Sequence, residues 1–303
     1  MHVLINVVVI GFFIGTILGS FVLALADRSL TKKSFGGRSY CPSCKHSLRW
    51  YDLFPILSYL QLLGKCRYCK KKIGIKYPLV EVTMGVLVGF LFYQQFSIIN
   101  FHFSINFQLS IFILELILKI FFITVLAVVF ITDYRKMFIP DRIILPSIVT
   151  LLIFSSVLVI VKIGYLYYYL SQHNIGKYLL PPFSDYFQRH AFMVLEPFIY
   201  SILMGATVAS FFFGLIVITR GKGMGGGDVK LGGFLGLMLG FPLSLVALFA
   251  SFLIGAIFSV LLIVMGKKHF GQTIAFGPFL VIGSLIALFW GNKILNWYLG
   301  LTI

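Results

Sequence analysis

Two aspartates of this chain lie where long apolar segments meet polar ones. Asp133 follows the run Val-Val-Phe-Ile-Thr, and Asp228 follows a glycine-rich run that begins at Gly223. An ionisable side chain at membrane depth is costly, and it usually faces a polar cavity and has a function. Two carboxyl groups that approach each other share a proton, so that one can act as base on a water while the other donates a hydrogen bond to a peptide carbonyl. We therefore expect Asp133 and Asp228 to converge as a peptide-cleaving pair; the alternative for Asp133 alone is a helix-end residue near cations.

The glycines before Asp228 suggest how a peptide could be held. Glycine lets another backbone approach closely and adopts positive φ at little cost, so an extended substrate could lie against this run. We assign substrate positioning to Gly225, Gly227 and Lys230. Two alternatives are a helix N-cap role for Asp228 and a phosphate-binding loop, although the run lacks the Walker spacing and no strand precedes it.

All four cysteines fall in one segment, as Cys41-Pro-Ser-Cys44 and Cys66-Arg-Tyr-Cys69. Two such knuckles can close a tetrahedron of thiolates around zinc, with no open position for catalysis. We predict structural zinc at Cys41, Cys44, Cys66 and Cys69. Two disulfides or a redox-active thiol pair are the alternatives.

The composition excludes a water-soluble globular protein. Of 303 residues, 59% are apolar and 11% are charged, against roughly 25% charged in soluble domains. Apolar runs of about 20 residues span a bilayer as helices. They predict about eight spans, in the ranges 3–26, 82–100, 107–132, 143–161, 197–219, 231–266 (two spans, broken at Phe241-Pro242) and 270–292. We expect the first span to be retained, because Asp27-Arg28 follows it where a signal peptide would have a small-residue cleavage site.

The charges predict an orientation. Twenty of the 25 Lys and Arg residues lie in the ranges 27–80, 132–142, 220–230 and 267–270. Cytoplasmic loops collect these residues, so both termini are expected outside and the segment 27–80 in the cytoplasm. The net charge of +16 thus reflects topology, and no nucleic-acid partner is expected. The basic segment could contact anionic lipid headgroups or be a solvated surface.

We therefore predict an all-α polytopic membrane helix bundle with a small cytoplasmic four-cysteine zinc-binding domain. The expected division is a first transmembrane helix (1–26), the zinc-binding domain (27–80) and a membrane peptidase domain (81–303). Near the outer rim of the membrane, Glu115 is expected to form an ion pair with Lys119, four residues later on one helix face.

Several segments together resemble the type IV prepilin peptidases, which are GxGD aspartic proteases and N-methyltransferases of bacterial inner membranes. The matching segments are Gly19-Ser-Phe21, Ser39-Tyr-Cys41-Pro-Ser-Cys44, Asp52-Leu-Phe-Pro55, Gly64-Lys-Cys66-Arg-Tyr-Cys69, Tyr77-Pro-Leu-Val-Glu81, Asp133, Ile139-Pro-Asp141, Gly223-Met-Gly225-Gly-Gly227-Asp228-Val-Lys230 and Phe276-Gly-Pro-Phe279. One departure is Val-Leu-Ala-Leu-Ala after Gly19-Ser-Phe21, where the family often has Asn and a basic-Leu-Pro end.

The resemblance implies an activity and its partners. It puts the catalytic aspartates on Asp133 and Asp228, and implies cleavage of prepilins and pseudopilins after a leader-terminal Gly. It also implies methylation of the new N-terminus from S-adenosylmethionine, associated with the 27–80 segment, in the bacterial inner membrane. Two other functions remain open from the residues alone: an ion or proton pathway through the two aspartates, and a membrane-anchored zinc adaptor that uses only the basic segment.

Overall fold

The fold is known from a computed structural model, which describes residues 2–97, 105–221, 223–267, 269 and 274–302. Over these residues the chain forms helices joined by loops, with isolated bridges in place of strands. The α-helices are α1 (His2–Leu30), α2 (Leu57–Gln61), α3 (Lys76–Ser97), α4 (Ile105–Lys136), α5 (Asp141–Gln172), α6 (Tyr186–Ile218), α7 (Gly226–Leu239), α8 (Leu243–Val264) and α9 (Gly277–Thr302). Two single 3₁₀ turns cover Trp50–Leu53 and Gly176–Leu179.

Seven of the described helices are long and apolar enough to cross a membrane: α1, α3, α4, α5, α6, α8 and α9. The remaining predicted span is α7, whose 14 residues extend about 21 Å at 1.5 Å per residue. That length is less than the hydrocarbon core of about 30 Å. The prediction of an all-α polytopic membrane protein is confirmed.

Proline and glycine residues mark one of the predicted helix boundaries. The predicted break at Phe241-Pro242 separates α7 from α8, and Gly240 before it has φ +63°. Elsewhere the helices run past the apolar stretches: α5 has 32 residues and α6 has 33. The gap between the predicted spans 82–100 and 107–132 falls mostly outside the described residues, as does the start of the last predicted span.

The chain divides into two compact units. One comprises residues 1–103 and 119–140, and the other 104–118 and 141–303. In the first unit α1 packs closely along α3. A Cβ added at Gly15 would lie 2.4 Å from the Met84 carbonyl oxygen, and one added at Gly19 would lie 2.7 Å from the Cα of Glu81. Small residues allow such close contact of membrane helices.

In the second unit the short helix α7 lies against α6 at similar range. A Cβ at Gly236 would be 2.5 Å from the Met204 carbonyl oxygen and 2.8 Å from the Cα of Gly205. Phe212 of α6 is fully buried and lies against the rings of Phe252 and Phe276. The packing of α7 against α6 determines where Asp228 lies within this unit.

Candidate active site and metal centre

Asp133 lies in the last turn of α4, within the first unit. Its side chain is 5% exposed, and the preceding Thr132 is fully buried. The helix ends at Lys136, where the Met137 amide donates to the Asp133 carbonyl oxygen over 2.7 Å and Met137 adopts φ +49°. Two residues after Asp133, Arg135 donates to Asp27 over 2.6 Å. A carboxyl group is therefore buried at the end of a membrane helix beside a charged pair at its surface.

Asp228 lies in the first turn of α7, within the second unit, and is 9% exposed. Gly225 is the N-cap, and the Asp228 amide donates to its carbonyl oxygen over 3.1 Å. Because Asp228 is the third helical residue, the alternative in which it serves as N-cap is wrong. At this position its carboxyl group lies near the amides that open the helix.

The expectation of positive φ in the glycine run is wrong. Gly225 is extended, with φ −90° and ψ 155°, and Gly226 opens a right-handed helix. What the run provides is space, because a Cβ at Gly226 would contact nothing within 4 Å and one at Gly225 would meet only a backbone nitrogen at 4.0 Å. A second backbone can approach there without a side chain in the way. Gly227 is the second helical residue, directly before Asp228.

Lys230 has a partner that its motif did not indicate. Its Nζ donates to Oδ1 of Asp141 over 2.6 Å, and both side chains are partly exposed. Asp141 is the first residue of α5. The pair therefore joins the first turns of α5 and α7, close in sequence to Asp228.

The four cysteines meet as the sequence predicts. The Sγ atoms of Cys41, Cys44, Cys66 and Cys69 all lie within 4.8 Å of one another, and those of Cys41 and Cys69 are 3.9 Å apart. All four are free thiols. A tetrahedral zinc with Zn–S bonds of about 2.3 Å requires sulfurs about 3.8 Å apart, so the cluster fits this ion with small adjustments.

The two knuckles repeat one local structure. In each, the first cysteine accepts a hydrogen bond from the amide of a lysine, Lys45 or Lys70, and that lysine adopts φ near +57°. An antiparallel bridge closes each knuckle, at Tyr40 and Ser47 in one and at Lys65 and Lys72 in the other. Two similar turns thus present their thiols to one point.

Cys41 ionises more easily than Cys69. Burial opposes ionisation of Cys41, but backbone N–H groups of Cys44 and Ser43 and the neighbouring thiols outweigh it and lower the pKa to about 7. At Cys69 the amide of Lys71 favours the thiolate, but burial and the neighbouring thiols raise the pKa to about 11. A divalent cation would offset the repulsion that prevents further ionisation.

A carboxylate helps to hold the segment between the knuckles. Asp52 accepts hydrogen bonds from Nε of Arg67 over 2.8 Å, from the Tyr68 hydroxyl over 3.1 Å and from the Arg49 amide over 3.2 Å. Burial opposes its ionisation, but the bonds from Arg67, Arg49 and Tyr68 lower the pKa of Asp52 below its ordinary value.

Glu81 has a contact that sequence reasoning did not anticipate. It lies buried in the second turn of α3, and its Oε2 accepts a hydrogen bond from the Ile56 amide over 2.8 Å. Ile56 has φ +61°, which a β-branched residue rarely adopts. The bond joins the loop between the knuckles to a membrane helix, and its 25-residue separation leaves no local pattern that could have revealed it.

Glu115 also has a distant partner. It accepts a hydrogen bond from Lys162 over 2.6 Å, and Lys119 donates to Gln95 over 3.0 Å. The four-residue spacing predicted an ion pair between Glu115 and Lys119 on one helix. The observed pair of Glu115 with Lys162 instead joins α4 to α5.

Comparison with known proteins identifies the family. Residues 13–95 match the bacterial peptidase A24 N-terminal domain, and residues 120–260 match the type IV leader peptidase family. A protein of Aeromonas salmonicida (strain A449) called prepilin leader peptidase/N-methyltransferase is 31% identical over 86% of this chain and 74% of its own length. This chain belongs to the type IV leader peptidase family. Other relatives of that name are 29% identical in Bacillus subtilis (strain 168), over 96% of this chain and 98% of the relative, and 31% identical in Neisseria gonorrhoeae, over 90% and 79%.

No solved structure matches this chain. The resemblance of its motifs to the type IV leader peptidase family is confirmed by the matches, which cover both cysteine knuckles and both aspartates. The family and the apolar helices also make the chain a multi-pass membrane protein.

Proposed function

We propose that this protein removes the basic leader from type IV prepilins or pseudopilins and then methylates the new N-terminus. The observation that carries the proposal is the match over most of the chain to relatives called prepilin leader peptidase/N-methyltransferase. The helical membrane fold and the family domains at 13–95 and 120–260 support it.

Asp133 and Asp228 are the proposed catalytic pair. Each is a buried carboxyl group at the end of a helix, and an aspartic protease needs two. One carboxylate removes a proton from a water, whose oxygen attacks the carbonyl carbon of the scissile bond, while the other, protonated, donates a hydrogen bond to the carbonyl oxygen. Proton transfer to the leaving nitrogen then breaks the C–N bond and releases the leader with a new carboxyl end.

The glycine run has a supporting role in this proposal. Open space beside Gly225 and Gly226 permits an extended substrate segment to lie against the backbone that leads to Asp228. Gly227 and Lys230 are proposed to help position it. Lys230 does so through Asp141, with which it forms an ion pair.

The loop between α1 and α3 is proposed to bind zinc and to belong to the methylating half of the protein. The four thiols lie close enough together to bind zinc after small adjustments, and bound zinc would fix a segment with little core of its own. The methyl donor is S-adenosylmethionine, which supplies an electrophilic methyl group; the acceptor is the amine that cleavage exposes.

The proposed orientation puts the 27–80 loop and the proposed aspartate pair at the cytoplasmic side of the bacterial inner membrane, with both termini outside. The concentration of Lys and Arg in residues 27–80, 132–142 and 220–230 supports this orientation, because such residues remain in the cytoplasm.

The test uses full-length protein in nanodiscs with a leader-bearing pilin, and cut and methylated products are scored separately by mass spectrometry. We expect Asp133→Asn and Asp228→Asn each to lower the cleavage rate about 10²–10⁴-fold, the range that acid–base groups contribute. The matched control is Asp185→Asn, at an exposed aspartate in the loop before α6, which should cleave at the wild-type rate.

Normal cleavage by either buried-site variant would reject the aspartate pair. Loss of methylation with intact cleavage in these variants would also reject it. Cleavage without any methyl incorporation by the wild type would reject the second activity alone.

A further inference from the structure

The loop between the two cysteine knuckles has an unusual apolar surface. Its large side chains project outward instead of packing inward: Trp50 is 73% exposed, Leu60 62% and Leu63 84%. The exposed set is Trp50, Leu53, Phe54, Leu57, Leu60 and Leu63, which we call the knuckle patch. Exposed apolar patches of this kind mark protein or membrane interaction sites.

The patch is a structured surface. The Trp50 and Phe54 rings lie in edge contact, 5.8 Å between centroids. Leu57 and Leu60 are three residues apart on α2 and therefore share a face. Asp52, the one acid of this stretch, is turned away from solvent and bonded to Arg67, so the patch has no exposed carboxylate.

A hydrogen bond ties the patch to a helix that could span a membrane. Ile56, in its middle, donates its amide to Glu81 over 2.8 Å. Glu81 is five residues into α3, a helix of 22 residues that is long and apolar enough to span a bilayer. Five residues advance about 7.5 Å along a helix, so the bond ties the patch to the second turn of this helix. A surface tied to the end of a spanning helix is within reach of the membrane interface, where amphipathic surface segments lie.

Exposed cations border the patch. Arg49 precedes Trp50 and Lys65 follows Leu63, and an antiparallel bridge pairs Lys65 with Lys72. Lys70 and Lys71 are exposed beside Lys72. Cations next to aromatic and aliphatic side chains are typical of surfaces that bind anionic lipid. A substrate leader that is itself basic would be repelled by the same charges.

We propose that the knuckle patch is an interfacial membrane anchor: Trp50, Phe54 and the exposed leucines insert among lipid headgroups and upper acyl chains, and the flanking cations bind anionic lipid. The ligand is an anionic lipid surface. Through Glu81 and the two knuckles, this contact fixes the proposed zinc segment against the bilayer.

The experiment reads the environment of Trp50 in the full-length protein. Trp290→Phe and Trp297→Phe leave Trp50 as the single tryptophan. The protein is placed in nanodiscs of phosphatidylcholine, with or without phosphatidylglycerol, that carry a quencher at an upper acyl position. We expect blue-shifted emission, at least about twofold stronger lipid quenching with the anionic lipid, and protection from aqueous acrylamide.

Two variants separate the parts of the proposal. Replacing Lys70, Lys71 and Lys72 with Gln should remove the dependence on anionic lipid, and Leu57→Ser with Leu60→Ser should increase acrylamide quenching. A protein with Trp297 as its only tryptophan, on the membrane helix α9, is the positive control for lipid quenching. Hydrogen exchange of the unmodified protein, with residues 50–63 slower in anionic nanodiscs, repeats the test without substitutions.

Acrylamide quenching of Trp50 in both lipid mixtures would overturn the proposal. So would protection from both quenchers, because Trp50 would then be covered by protein. If added prepilin removes the lipid quenching while Trp50 stays protected from acrylamide, the patch binds substrate instead of lipid.

Discussion

At the scale of single residues, the ion pair of Lys230 and Asp141 is open to a direct test. The pair is partly exposed, and such pairs contribute about 0–1 kcal/mol to stability, so its value to the protein must lie in position. We expect Lys230→Asp to slow cleavage, and Lys230→Asp combined with Asp141→Lys to recover most of the rate, since the reversed pair restores the link between α5 and α7.

The two kinetic constants distinguish the roles. If Lys230 acts through Asp141, kcat falls in the single variant and returns in the double one. A double variant that stays as slow as the single one, with a raised KM, would indicate that the lysine contacts the substrate instead. Prepilin cleavage in nanodiscs provides both constants.

The residue patterns predicted which side chains form a chemical site better than they predicted the backbone conformation there. The CxxC spacing was sufficient to predict the thiol cluster, because each knuckle is a local turn. The glycines before Asp228 were expected to adopt positive φ, yet Gly225 is extended, and glycine there leaves space. The partners of Glu81 and Glu115 lie 25 and 47 residues away, and such contacts depend on tertiary packing that no local spacing encodes.

At the scale of elements, the contact between α6 and α7 depends on Gly236. A Cβ there would lie 2.5 Å from the Met204 carbonyl oxygen, and backbone cannot yield as a flexible side chain can. We expect Gly236→Ala to lower stability by about 1–3 kcal/mol, as overpacking does, and to reduce cleavage by displacing α7. Thermal unfolding in nanodiscs and the cleavage assay measure both effects.

The matched control is Gly214→Ala, on α6, where a Cβ would meet nothing within 4 Å. Alanine favours helix over glycine, so this variant should be neutral or slightly stabilised. Equal behaviour of the two variants would contradict the close packing of α6 on α7.

The four-cysteine segment is a second element, and its role can be tested separately from that of the aspartates. We expect about one zinc per chain in purified protein, lost in Cys41→Ser and Cys66→Ser but kept in Ser43→Ala. Since the proposed aspartates lie outside this segment, methylation should fall more than cleavage. Thiolates bind the metal and thiols do not, so zinc should be released as the pH falls.

Metal content by mass spectrometry and the two product yields decide this prediction. A wild-type protein that contains no zinc, or a serine variant that keeps it, would leave the cluster without its proposed ion.

Proline and apolar length predicted the elements well. The break at Phe241-Pro242 lies where expected because proline cannot donate a hydrogen bond to the preceding turn. The end of α5 was placed too early and the start of α6 too late, since the prediction followed the apolar run. Polar and aromatic residues continue both helices beyond it, which a hydropathy pattern does not register.

At the scale of the whole molecule, the number of crossings decides whether the two termini lie on the same side of the membrane. Seven long helices alone would leave the termini on opposite sides, and α7 as an eighth crossing would return them to one side. We expect both termini outside, with α7 crossing in spite of its 14 residues, because a bilayer thins locally around a short segment.

Epitope tags at each end of the chain test this orientation. The outer barrier of the cells is removed, and protease is added while the inner membrane is intact. Cleavage of both tags is the expected result, with a tag inserted near Gly36, in the cysteine loop, protected. Protection of the C-terminal tag alone would mean that α7 does not cross.

The glycine content of α7 affects which part of the protein loses its structure first on heating. Five of its 14 residues are glycine, three of them in its interior, where each costs up to about 1 kcal/mol relative to alanine, so this helix depends on its packing against α6. Local opening should therefore free the turn that contains Asp228 well before the long spans lose their structure. Heat inactivation should precede the main fall in circular dichroism, and activity should return on cooling.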